Sequence, residues 1–526
     1  MIKKHLLGGA LLVSVLVLLT GCKEMMSSLD NPVDSYFKLA ETSKTIYRGE
    51  SYKIEYSTIS DAKPIFKSAD EKIALVDENG VVTGANRGTT KISVTLPATD
   101  YYNGASVEFA VEVDALLNLP KDSKEFTLNE EYNLGVTSVS TGAITYKSSD
   151  TKVATVDANG NVTAKGYGDA TITISIAATP QYDRTETAEF AAKVRVLTEA
   201  ELNTIINTAA AGDGKVQVML KDGFELENDL NLEGKKIELD LMNSILTFKG
   251  NQSIIISDNF TLKNAKIDAS NSNAQIVKMT NNNTVLGTVK KNGEVYTLAG
   301  KKDFYYIESV IIDNVWVKNL KNDLITNQNI TWAIDNLTIK NCIIQANYTG
   351  SSSSLIWLGS SNSTQGSIHN MDVDSNTFYN IDNKGTQRFI SIGNSSNATK
   401  AWGTTSAGGD GTPATAGSRM FFKLNNNIFI KVGYNKFANN VPNSANNMFM
   451  EGNNNIFYGI AQIRQFFNSN NHKTTTGNVV WGPEGAVDND DLSRKDDENN
   501  PIVTKQDPGI TVPTEPLDLE KGVKIK

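Results

Sequence analysis

The rhythm of hydrophobic and polar positions changes several times along this chain. An apolar run from Leu6 to Leu19 follows Lys3 and Lys4 and ends in small residues before Cys22. After a Ser/Asp/Asn/Pro stretch, apolar and polar residues alternate, as at Ile92/Val94 and Ile172/Ile174, the period of half-buried strands. Leu202, Ile205, Ile206 and Ala209 then recur at helical spacing and predict a helix opening near Glu199. Beyond it, short alternating strands split by Gly and Asn run to about residue 487, and an acidic, Pro-bearing tail follows from Asp488.

The opening segment has signal-peptide anatomy, and its apolar run is shorter than the roughly 20 residues a bilayer core requires. Leu19-Thr20-Gly21-Cys22 resembles the lipobox of bacterial lipoproteins. That resemblance implies cleavage after residue 21, lipidation of Cys22 and a membrane tether over residues 22–34. Lys23 stands where inner-membrane lipoproteins carry an aspartate, so an outer-membrane, cell-surface location is expected.

Phe66–Thr95 repeats at an offset of 80 residues: Ser68 with Ser148, Asp70 with Asp150, Asp77 with Asp157, Gly80 with Gly160 and Gly88 with Gly168. A repeat of this length suits a small sandwich of about seven strands. The Asn-Gly pairs ending at Gly80 and Gly160 predict tight hairpin turns with two positive φ angles. These segments resemble group-2 bacterial immunoglobulin-like domains through the run S-x-D-x-x-x-A-x-V-D-x-x-G-x-V-T, placing domains at 35–114 and 115–196. The resemblance implies a stalk.

In residues 197–487, an apolar-x-apolar, polar turn, Asn-x-apolar motif recurs. Its inward register residues are Ile267, Val317, Ile344, Phe378, Phe429, Phe457 and Val480, separated by 50, 27, 34, 51, 28 and 23 residues. One coil of a β-solenoid takes roughly 22–30 residues, so the two long gaps hold an extra or a loop-bearing coil. The same register stacks Ala265, Val315, Cys342, Asn376, Asn427, Asn455 and Asn478 at one interior turn, where asparagines can hydrogen-bond coil to coil. Cys342 is read there as a small buried occupant, not a nucleophile. A helix followed by such coils resembles pectate-lyase-like right-handed parallel β-helices. The expected fold is therefore all-β: two sandwiches, then a β-helix, then an irregular C-terminal wrap over 488–526.

β-Helices of this kind bind or cleave polysaccharide along one side, where strands about 4.8 Å apart suit an extended sugar chain. Trp316 alternates with inward Val315 and Val317 and is expected to face out. Trp357 aligns with Ser391, so Leu355 and Phe389 share its outward face as a stacking platform, and Trp402 sits in a long Gly/Thr-rich loop. The resemblance to pectate lyases implies, for a lyase, that Asp372 and Asp374 hold Ca²⁺ and that Arg388, Lys423 or Arg464 is the basic residue. No third acid or Arg-x-Pro-x-x-Arg-like pattern accompanies them, and His369 lacks a Gly-His-Gly context.

Over 526 residues the formal net charge is −9, which argues against nucleic acid. Two cysteines and three histidines leave no Cys-rich zinc site, and His369 and His472 stand apart in sequence. The reading is a lipid-anchored outer-membrane protein, without a cofactor, that binds polysaccharide and serves a glycan-uptake complex. A uronate-directed polysaccharide lyase and an adhesin or structural surface protein remain as alternatives.

Overall fold

The computed structural model describes residues 32–180, 182, 185–280, 289–291, 294–297, 305–327, 332–347, 354–358, 366–381, 388–392, 403–404, 420–432, 437–439, 448–460, 463, 477–481 and 504–521. Cys22, Trp402, Arg464 and His472 lie outside them. The chain divides into a unit ending at Lys193 and one beginning at Val194.

The first unit holds the repeat as two β-sandwiches. In the first, Ser43–Tyr47, Ala105–Asp114, Gly88–Leu96 and Ile65–Ser68 form one sheet and Ser51–Lys53, Val81–Gly84 and Ala74–Val76 the other. Alternation places Ile92, Val94, Phe109, Val111 and Val113 between the sheets, with Tyr52 stacked on Phe109 at 5.8 Å. The second sandwich repeats this order, with Phe190 flanked by Phe126 and Tyr132. The repeat turns differ from the expected two-residue hairpin. Only the glycine is left-handed, at φ 76° in both Gly80 and Gly160, and the aspartate closes the loop. Asp77 Oδ1 accepts from the Asn79 and Val81 amides at 2.9 Å, and Asp157 Oδ1 from Asn159 and Asn161 at 2.9 and 2.8 Å. A Cβ on Gly80 would meet the Phe66 ring at 2.7 Å, so the glycine serves packing as well as φ.

The second unit is a three-faced parallel solenoid. Its helix, Glu199–Ala210, is capped by Thr198, whose hydroxyl accepts from the Glu201 amide, and buries Leu202 and Ile206 against the first strands. The first face carries Trp332–Lys340, Gly366–Asp374, Met420–Asn425 and Met448–Asn453. The second carries Ile343–Ala346, Thr377–Asn380, Ile428–Ile430, Ile456–Tyr458 and Val479–Trp481. The third runs through Ile325–Thr326, Ser354–Leu358, Arg388–Ile392 and Ala438–Asn439. All these ladders are parallel.

Register follows the inward residues. Ile267 pairs directly with Val317 and Phe378 with Phe429, so each long gap is one coil bearing an insertion. Phe378, Phe429 and Phe457 stack at 5.1 and 5.2 Å with rings 7° from parallel, filling the interior beside Phe389 and Phe437.

At the corner between first and second faces the interior asparagines form a continuous ladder. Asn427 Oδ1 accepts from the Asn376 amide and Nδ2, at 3.1 and 2.9 Å. Asn455 serves Asn427 in the same way, and Asn478 serves Asn455. Cys342 starts the ladder, its amide donating to Asn376 Oδ1 at 2.9 Å; burial pushes its thiol up to about 12. Each rung is preceded by a left-handed residue, Asn341, Ser375, Asn426, Asn454 and Gly477, at φ between 55° and 71°. Three of these five are asparagines, the side chain that best tolerates αL after glycine.

From Thr504 the chain adds a last strand beside Val479–Trp481 and turns back along the outside of the second face. Leu517 and Leu519 cover Tyr379 and Ile430, with Trp316, Ile343, Ile428 and Tyr458 packed around them, and the Leu517 amide donates to Gln345 Oε1 at 3.0 Å.

Candidate functional site

The aromatic positions expected to stack on sugars are otherwise employed. Phe389 is fully buried, parallel to Phe437 at 5.1 Å and edge-on to Phe378 and Phe429. Leu355 is buried too, between buried Ser354 and Ile356, so strict alternation fails in this strand. Trp357 does pair with Ser391 and is half-buried, but its register neighbours Thr326 and Ser391 are wholly buried, so no open platform surrounds it. Trp316 faces out, yet beneath the C-terminal segment, with Lys266 5.5 Å from its ring.

The charged candidates separate as well. Arg388 stands on the third face beside Ser354, its Nε buried without a hydrogen-bond partner and its guanidinium pKa lowered by burial. Asp372 and Lys423 are on the first face, in register on successive coils. Asp374 shares that face but closes the turn, accepting from Asn426 Nδ2 at 2.9 Å and Ser375 Oγ at 3.0 Å. Among the described residues no three His, Cys, Asp or Glu side chains come together to hold a metal such as Ca²⁺.

What the first face offers is a groove of about 280 Å³ crossing three coils. Asn336 and Thr338 line it from one coil, Asn370 and Asp372 from the next, and Phe421 and Lys423 from the third, over Leu337 and Met371. Alternation puts 336, 338, 370, 372, 421 and 423 outward, while Leu337 and Met371 are core. Asn370 Nδ2 donates to Asn336 Oδ1 at 3.2 Å, and the Lys423 ammonium lies 5.2 Å from the Phe421 ring centre. A larger hollow of about 590 Å³ lies by the cap helix, but Glu199 already receives the Glu227 and Asn228 amides there, closing the solenoid end.

Sequence reasoning missed one constellation beside the groove. Asp335, 1% exposed, accepts from Tyr306 Oη at 3.3 Å and meets His369 Nδ1 at 2.8 Å, while burial raises the Tyr306 pKa above its ordinary value. The three residues come from successive coils 29 and 34 residues apart. Only the register, once known, would have aligned Asp335 with His369. The other missed titratable group is Asp323, 4% exposed, whose carboxyl burial pushes to about 7 against bonds from Gln275 Nε2 and the Ser354 amide.

Residues 137–179 match the intimin immunoglobulin-like domain family. Ice-binding protein 1 of Shewanella frigidimarina is 29% identical over 144 residues, covering 25% of this chain and 16% of that protein, so the chain spans only about a sixth of this relative. Among solved structures, S-layer protein SbsC domains 4 and 5 are 18% identical with a TM-score of 0.13, over 27% of this chain and 78% of that one. Human protocadherin-24 EC1-2 is 11% identical with a TM-score of 0.16, over 31% and 98%. Together with the sandwiches, the family match defines a surface-type protein bearing an immunoglobulin-like domain. Among the described residues no helix is long and apolar enough to cross a membrane.

Proposed function

We propose that the solenoid binds a polysaccharide chain in the first-face groove, with the sandwiches as stalk, and that lipidated Cys22 anchors the protein at the outer membrane to serve a glycan-uptake complex. The observation that carries this reading is the groove itself. It presents amide, hydroxyl, carboxylate and ammonium groups from three coils at steps of about 4.8 Å, beside one aromatic ring, which matches the repeat of an extended sugar chain. Ice, suggested by the name of the Shewanella relative, presents flat crystal planes, whereas the groove is shaped for an extended chain. Affinity electrophoresis of the full chain against a polysaccharide panel tests the proposal. Retardation by one polymer, weakened at least several-fold by Phe421→Ala or Asn370→Ala without loss of fold, is expected. Formation of unsaturated uronate products instead would replace binding with lyase chemistry, and no retardation by any polymer would remove the reading.

A further inference from the structure

On this solenoid, several acids and lysines placed in register on successive coils pair with one another. Asp268 and Lys318 meet at 3.6 Å, Asp313 and Lys340 at 3.4 Å, and Asp240 and Lys263 at 3.9 Å. Other in-register pairs stay apart, such as Lys340 and Asp374, but Lys340 is paired with Asp313; in the groove neither the acid nor the lysine has an ion-pair partner among the described residues. Lys423 has Asp372 in register on one side and Glu451 on the other, yet forms an ion pair with neither within 4.0 Å. Its ammonium rests over Phe421 instead, and Asp372 is exposed and equally unpaired. Two opposite charges that geometry would let meet are thus held apart across an open groove.

Building on the glycan reading above, we propose that Asp372 and Lys423 are the hydroxyl-reading pair of this groove and that it takes a neutral, hydroxyl-rich sugar residue rather than a uronate. A carboxylate accepts from two neighbouring sugar hydroxyls at once, and an ammonium donates to a hydroxyl or ring oxygen, so one sugar ring satisfies both. The column Asp372, Lys423, Glu451 carries one positive and two negative charges. A uronate carboxylate would add like charge beside two acids, which selects against it.

The full chain is titrated with neutral polymers (galactan, xylan, mannan, glucan) and with polygalacturonate and alginate, comparing wild type with Asp372→Asn and Lys423→Met. Methionine keeps an apolar stem over Phe421 and removes only the charge. Binding of a neutral polymer, weakened about tenfold by each substitution with the unfolding temperature unchanged, is expected, because each removes a charge-assisted hydrogen bond. Preferred binding of a uronate polymer, abolished by Lys423→Met and strengthened by Asp372→Asn, would overturn the inference and leave glycan binding intact. So would neutral binding indifferent to both substitutions but lost in Phe421→Ala. No binding by any polymer would take down both proposals.

Discussion

Asn427→Leu tests what holds the coils in register. The native side chain does four things in a fully buried position. Its Oδ1 accepts from the Asn376 amide and Nδ2, and its Nδ2 donates to the Val373 carbonyl at 2.8 Å and to Asn455 Oδ1 at 3.0 Å. Leucine has similar volume and none of these groups. It strips a partner from two buried backbone groups, the Asn376 N–H and the Val373 C=O, at about 1–3 kcal/mol each, so a loss of roughly 2–5 kcal/mol is expected after the gain in apolar burial. Asn426→Gly is the control. Asn426 is exposed at φ 56°, which glycine adopts without strain, so this change should stay within about 1 kcal/mol. All five tryptophans lie at or beyond Trp316, so tryptophan fluorescence during urea unfolding follows the solenoid and not the sandwiches. Equal midpoints for the two variants would refute the ladder as a source of stability.

Two further perturbations probe buried polarity and the outer cover. Asp323 carries a folded pKa near 7 against the ordinary 3.8, so the folded state holds its proton more tightly. Its contribution is then most favourable below about pH 4, falls as pH rises to about 7, and is flat above, a change of up to about 4 kcal/mol. Asp323→Asn should abolish that slope and raise urea resistance at pH 8, once Gln275 turns its amide; unchanged slope in the variant would show that another group sets it. Leu517→Asp places a charge in the 1% exposed contact over Tyr379, and should lower solenoid stability by about 2–4 kcal/mol and red-shift tryptophan emission as Trp316 is uncovered. An unshifted spectrum would mean that the C-terminal segment does not seal that face.

Repeats were legible wherever one residue type answers to one local demand. The solenoid register could be read from the spacing of inward apolar residues, because a parallel coil buries the same strand position in every turn. The interior asparagine column was legible for the same reason, as few polar residues can be buried at a turn and still satisfy backbone groups. The helix near Glu199 followed from its period. The sandwich turns were misjudged in type because Asn-Gly alone does not reveal that Asp77 and Asp157 supply the closing carboxylate.

The candidate site was less accessible. Outward alternation placed Trp316 correctly, but the segment that covers it arrives from residue 517, and no pattern near Trp316 announces that. Phe389 was misplaced because it, Ile390 and Ser391 are all buried in succession, which breaks the period-two rule. The groove joins 336, 370 and 421, and the Tyr306, Asp335 and His369 contacts join three coils of unequal length. Local sequence determined which strands, turns and ladders form, since these depend on neighbours within a coil. Which outward side chains remain open, covered or paired was decided only by tertiary structure, because that depends on insertions and tails that reach across coils from far along the chain.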